Sequence, residues 1–120
     1  MANPVVHFEV IGEDGAKLQS FYSHVFGWTI NADNPYKYGM VQAAEHGIAG
    51  GVAGGDPTDR GVTVYIEVPD LDQALAAVQS AGGHTVAPPM DVQGGPRMAQ
   101  FADPEGHRVG LIQAGSMAGA

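Results

Sequence analysis

The feature that most restricts what this chain can fold into is an internal repeat. Residues 5–10 read Val-Val-His-Phe-Glu-Val and residues 63–68 read Thr-Val-Tyr-Ile-Glu-Val, with Glu9 and Glu67 matching at an offset of 58. Runs this rich in β-branched and aromatic residues mark strands. A helix pattern follows each one. After the first, Asp14 stands at a capping position, and Leu18, Phe21, Tyr22, Val25 and Phe26 recur at i, i+3, i+4, i+7 and i+8 until Gly27. That is one apolar face with a glycine stop. After the second, Asp70 and Gln73 have capping-box spacing, Leu71, Ala74, Leu75 and Val78 supply the face, and Gly82-Gly83 ends it. Farther along, Glu45-His46-Gly47-Ile48-Ala49-Gly50-Gly51-Val52 aligns with Glu105-Gly106-His107-Arg108-Val109-Gly110-Leu111-Ile112 at an offset of 60. Each block follows a strand-like stretch, residues 38–43 and 98–102, and Asp103-Pro104-Glu105-Gly106 has tight-turn chemistry.

A period near 58 is too long for the common solenoid repeats. The pattern predicts an α+β fold of two tandem β-α-β-β-β modules, about 4–54 and 62–113, with a linker over 55–61 and a flexible tail over 114–120. Neither half has enough strands to cover its own apolar faces. The two sheets are therefore expected to join into one curved, eight-stranded, cup-like sheet. With 120 residues, 44% of them apolar, the chain is expected to be a single compact domain. Its net charge of −8 argues against nucleic acid and anionic membranes, which need a basic face. Cysteine is absent, which excludes disulfides, thiolate zinc sites and a cysteine nucleophile. No apolar run is long enough for a membrane helix and no signal peptide is visible, so the expected location is cytoplasmic.

Three segments together carry a family resemblance: Val6-His7-Phe8-Glu9-Val10 leading to Phe21-Tyr22-x-x-Val25-Phe26-Gly27-Trp28, Val68-Pro69-Asp70-Leu71-Asp72 leading to Ala81-Gly82-Gly83, and Phe101-Ala102-Asp103-Pro104-Glu105-Gly106-His107. Over nearly all of residues 4–113 the chain resembles the vicinal oxygen chelate superfamily, the glyoxalase, bleomycin-resistance and extradiol-dioxygenase group. The resemblance implies paired modules whose strands wrap a cup, and a homodimer. It also implies metal ligands on the cup-facing side of the first and last strand of each module. Those slots fall here at Val5, Gly50, Thr63 and Gly110, which offer no ligand beyond a threonine hydroxyl. The expectation is a member with no cofactor. A divalent metal held by displaced ligands (His7, Glu9 and Glu67) is the alternative.

Strand alternation puts His7 and Glu9 on the face of Val5, and Tyr65 and Glu67 on the face of Thr63. His7 and Tyr65 then become matching candidates for binding a polar ligand, with His7 also a candidate base near neutral pH. Each can equally be a buried side chain with its polar atom satisfied. Glu9 and Glu67 read as a carboxylate pair or as solvated strand ends. Trp28 and Phe101 read as an aromatic wall for a planar ligand or as ordinary core. Arg108 has the parity of Gly110 and reads as an anion-holding group or an internal ion-pair partner; Arg97 is another of the five basic residues that can pair with the excess of acids. His46 and His107 read as solvated turn residues, and His84, beginning a strand after Gly82-Gly83, reads as exposed. The glycine-rich stretch from Gly47 to Gly55 contains neither a dinucleotide nor a P-loop fingerprint, and Gly50 and Gly110 are expected to leave open space on the cup floor.

Three functions remain open. One is metal-free binding of a small molecule by His7, Tyr65, Trp28, Phe101, Arg108 and Glu67. Another is a metal- or His7-dependent lyase, isomerase or dioxygenase acting on a small oxygenated substrate. The last is a module whose cup is filled by its own side chains.

Overall fold

The computed structural model describes residues 2–116; the last residues of the expected tail, 117–120, lie outside the described residues. The chain divides into two compact units, one spanning Val6–Thr63 and the other running from Val64 onward together with the first five residues. Each carries one β-α-β-β-β module, apart from the first residue of β1 and the first three of β5, which fall across the division.

The first module runs β1 (Val5–Gly12), α1 (Gly15–Phe26), β2 (Ile30–Asn31), β3 (Gly39–Val41) and β4 (Ala49–Gly54), with sheet order β2-β3-β4-β1. A single 3-10 turn, Pro57–Asp59, occupies the linker. The second module runs β5 (Gly61–Val68), α2 (Leu71–Ser80), β6 (His84–Asp91), β7 (Arg97–Ala102) and β8 (Arg108–Gln113), with order β5-β8-β7-β6. In both, the first strand pairs in parallel with the last and the remaining pairs are antiparallel. This is the duplicated α+β architecture that the repeat predicts. No helix among the described residues is long and apolar enough to cross a membrane.

The helix ends are chemically specified. Asp14 Oδ1 accepts from Lys17 N at 3.0 Å and Asp70 Oδ1 from Gln73 N at 3.1 Å, each satisfying an otherwise orphaned donor. Gly27 closes α1 at φ 72°, a left-handed conformation that glycine adopts without Cβ strain. The two helices differ in how well they are covered. α2 buries Leu71 (1% exposed) and Leu75 against Val68, Ala99 and Leu111, with Ile66 and Phe101 alongside.

No residue of α1 is fully buried, and Phe21, Val25 and Phe26 are half or more exposed. The apolar stripe is present as expected, but β2 and β3 have two and three residues and cover little of a twelve-residue helix. Tyr22 instead stacks on Trp28 (centroids 5.1 Å, 10° between planes), which meets Phe8 of β1 at 5.2 Å.

The strand register corrects the expected placement of Gly50. His7 pairs with Ala49 and Tyr65 with Gly110. With His7 and Tyr65 as equivalents, Gly110 corresponds to Ala49 and not to Gly50. A one-residue shift carries a side chain to the opposite face of a strand. Gly50 accordingly lies on the α1 side, where a Cβ would collide with the ring of Phe8. Gly110 keeps the expected face, but the space it leaves is taken by the ring of Tyr65.

Candidate functional site

On the face of the first sheet turned away from α1, β1 presents His7 and Glu9, and beside them β4 presents Ala49, Gly51 and Ala53. Tyr38, the residue before β3, joins this face. Its hydroxyl donates to Glu9 Oε2 at 3.0 Å and lies 2.8 Å from His7 Nε2. The His7 and Tyr38 rings are nearly parallel, 15° apart with centroids separated by 6.3 Å. Gly51 makes this possible: a Cβ there would overlap the Tyr38 hydroxyl and ring carbons.

A phenol has one proton, and here it goes to the carboxylate. The same oxygen must therefore accept from His7, which assigns His7 as the Nε2–H tautomer with its lone pair on Nδ1. Burial holds the His7 pKa below the ordinary 6.5, because desolvation disfavours the imidazolium. All three side chains are half-buried. The arrangement offers a neutral imidazole, a phenol and a carboxylate in one hydrogen-bonded line.

The corresponding face of the second sheet is packed differently. Tyr65 is 3% exposed, its ring occupies the space over Gly110, and its hydroxyl accepts from Gln100 Nε2 at 3.2 Å. Thr63 is likewise buried, and Glu67 is half-buried. Arg108 pairs with Ala102 two residues before Gly110, so it shares the Tyr65 face, as its parity predicts. Phe101 does not share it. It lies on the α2 side, packed on the core of the second module. Trp28 is on the α1 side of the first. Of the two readings of Trp28 and Phe101, aromatic wall or ordinary core, the placement of each ring on the helix side of its own module is that of core packing.

Of the remaining candidates, Arg97 faces Asp91 at 3.7 Å and His46 is an exposed turn residue at φ 69°. His84 is exposed, and His107 Nδ1 lies 3.0 Å from Asp103 Oδ2 in the turn before β8. Backbone hydrogen bonds from His107 and Glu105, with the His107 ring beside them, hold the Asp103 pKa below its ordinary 3.8. Tyr38 and Gln100 went unselected in the sequence. The usable signal was Gly51, since a glycine inside a strand often marks the close approach of another group.

Among the described residues no three His, Cys, Asp or Glu side chains are grouped to hold a divalent metal. His7 and Glu9 share a face, but the Tyr38 hydroxyl is hydrogen-bonded to both. Of the four slots, Val5 has no donor atom, Gly50 points to the helix side, the Thr63 hydroxyl belongs to a buried residue and Gly110 is overlaid by Tyr65.

Residues 5–111 match the family described as the Glyoxalase/Bleomycin resistance protein/Dioxygenase superfamily. The chain belongs to this superfamily. Among curated relatives, the anthracycline biosynthesis protein DnrV of Streptomyces peucetius is 32% identical over 131 residues, an alignment covering 94% of this chain and 48% of DnrV. The chain thus spans about half the length of the curated relatives it matches. Among solved structures, a point variant of Streptomyces coelicolor methylmalonyl-CoA epimerase in complex with 2-nitronate-propionyl-CoA superposes with a TM-score of 0.66 at 18% identity, covering 96% of this chain and 99% of that one. A superfamily member from Vibrio splendidus gives 0.63 at 19%, covering 93% and 99%. At such identities the likeness is one of fold.

Proposed function

We propose that this glyoxalase-like chain binds a small organic molecule without a metal, on the face formed by His7, Tyr38 and Glu9. The supporting observation is the Tyr38 hydroxyl held between an imidazole and a carboxylate on the sheet face opposite α1. Half-buried polar groups on one face provide orientation for a ligand, with the small side chain of Ala49 beside His7. A neutral His7 can accept a hydrogen bond from a hydroxyl or enol without the cost of desolvating a second charge. A second reading is supported by the lowered His7 pKa: a neutral imidazole near pH 7 can take a proton from a bound oxygenated substrate.

The names of the relatives supply probes. DnrV is named for anthracycline biosynthesis, and the epimerase is named for methylmalonyl-CoA. Isothermal titration with an anthracycline and with methylmalonyl-CoA, on wild type and Tyr38→Phe, tests the binding reading. Saturable binding weakened about tenfold in Tyr38→Phe is expected, the size of one neutral hydrogen bond left unmade. Absence of binding by both probes and by a broader thermal-shift library would sink it. So would stoichiometric metal in protein purified without chelator, if that metal is lost on His7→Ala. Turnover of methylmalonyl-CoA abolished by His7→Gln would favour the second reading.

A further inference from the structure

The side chain of Tyr38 does its work only if its backbone is held. Strand β3 begins at Gly39, so the N–H and C=O of Tyr38 lie outside the ladder and need other partners. Both are supplied by one side chain. Asn34 Oδ1 accepts from Tyr38 N at 2.9 Å, and Asn34 Nδ2 donates to Tyr38 O at 2.7 Å. Lys37 N also donates to Asn34 O at 3.1 Å, closing the segment into a tight loop. Lys37 itself sits at φ 54°, in the left-handed region that a lysine enters only when its surroundings impose it.

A second clamp comes from α1. Gln19 Nε2 donates to Lys37 O at 3.1 Å and to Val52 O at 2.7 Å, tying the loop to the helix and to β4. Gly39 leaves room for that amide: a Cβ there would lie 2.7 Å from Gln19 Nε2.

We infer that Asn34, assisted by Gln19, is a positioning residue that holds the Tyr38 phenol between Glu9 and His7 and thereby keeps His7 as the Nε2–H tautomer. The inference rests on the reading of this face as the ligand site and names what prepares it. In ordering the loop, Asn34 determines which imidazole nitrogen carries the proton and which offers its lone pair. A ligand group hydrogen-bonding to His7 Nδ1 must then be a donor.

The experiment is a long-range 1H–15N spectrum of ligand-free protein at pH 7.5, with His7 assigned from His7→Gln. In wild type, Nδ1 is expected at the unprotonated position and Nε2 at the protonated one. In Tyr38→Phe the two nitrogen shifts are expected to move toward each other as the tautomers exchange, and Asn34→Ala is expected to reproduce that change with its phenol still present. Asn34→Asp, which keeps the acceptor for Tyr38 N, is expected to restore part of the wild-type pattern. Gln19→Ala carries the test if Asn34→Ala does not fold. A wild-type Nδ1–H tautomer overturns the inference. An unchanged His7 spectrum in Asn34→Ala, alongside a changed one in Tyr38→Phe, overturns it as well. Because no ligand is present, failure of both binding probes with this lock intact would count against the proposed function alone.

Discussion

Replacing Gly51 by alanine tests whether the line of His7, Tyr38 and Glu9 depends on the missing Cβ. Gly51 is buried in β4, pairs with Glu9 and with Met40, and has no left-handed backbone that would itself oppose a side chain. An added methyl overlaps the Tyr38 hydroxyl and ring, and a β4 held between two neighbours cannot retreat, so the ring must leave. Its departure removes a hydrogen bond to a carboxylate, worth about 1.5–3 kcal/mol, and one to a neutral imidazole, worth about 0.5–1.5 kcal/mol. Relief of glycine's backbone entropy in a strand returns about 0.5–1 kcal/mol. The net loss is about 2–3 kcal/mol, or a fall in Tm of about 8–12 °C for a chain of this length. Urea unfolding of wild type, Gly51→Ala, Tyr38→Ala and the double variant closes the cycle. In the Tyr38→Ala background the methyl no longer meets the ring, so Gly51→Ala should be neutral or stabilising there, with a coupling of about 3 kcal/mol. An equal cost in both backgrounds would refute the reasoning and put the sensitivity in the β4 backbone.

Two more predictions follow from burial and charge. Leu71→Ala, at a position 1% exposed in the core of the second module, should cost about 2–5 kcal/mol, whereas Val25→Lys, at a half-exposed position on α1, should stay within about 0.5 kcal/mol by urea titration. A large loss for Val25→Lys would mean that something covers α1 in solution. Because the folded His7 pKa is below 6.5, the unfolded chain takes up the proton first as pH falls. The His7 contribution is complete above pH 6.5 and declines as pH drops from there through the folded pKa. Wild type should therefore weaken between pH 7.5 and 5.5 more than His7→Gln does. The lowered Asp103 pKa gives a contribution present above pH 3.8 and lost as pH falls through the folded value.

What could be read in advance was local. Asp14, Asp70 and Gly27 set helix ends through contacts within four residues, and the two runs of β-branched residues announced β1 and β5 without reference to anything distant. The face of β4 was not legible in the same way. Its alignment with β8 leaned on glycines, and tandem Gly50-Gly51 matches Gly110 about equally well at offsets of 60 and 59, while the ladder requires 61. A glycine has no side chain to reveal which side it faces, so the error changed the supposed lining of the site. The coverage of α1 was hidden for another reason: periodicity reports which face is apolar, and the lengths of β2 and β3 decide how much of it is met. Tyr38 escaped because it stands outside any ladder, placed by Asn34 and Gln19 through contacts that no period encodes.

The comparison of the modules then says where chemistry can reside. His7 and Tyr65 occupy equivalent positions on equivalent strands. In the second module the aromatic ring lies over its own Gly110, is 3% exposed and has a hydroxyl bonded to Gln100, so it behaves as a packed side chain whose polar end is satisfied. In the first, the equivalent strand position holds an ionisable imidazole, and the glycine on the neighbouring strand receives a tyrosine brought in from a loop. The same device, a glycine yielding its space to a tyrosine ring, thus serves stability in one copy and aligns a proton-bearing chain in the other. Duplication permits this asymmetry, since one module can keep an apolar packed core while the other accepts hydrogen-bonded, half-buried polar groups. The asymmetry is measurable: if the first module carries the site, Tyr38→Phe should disturb His7 while leaving the packing of Tyr65 unchanged.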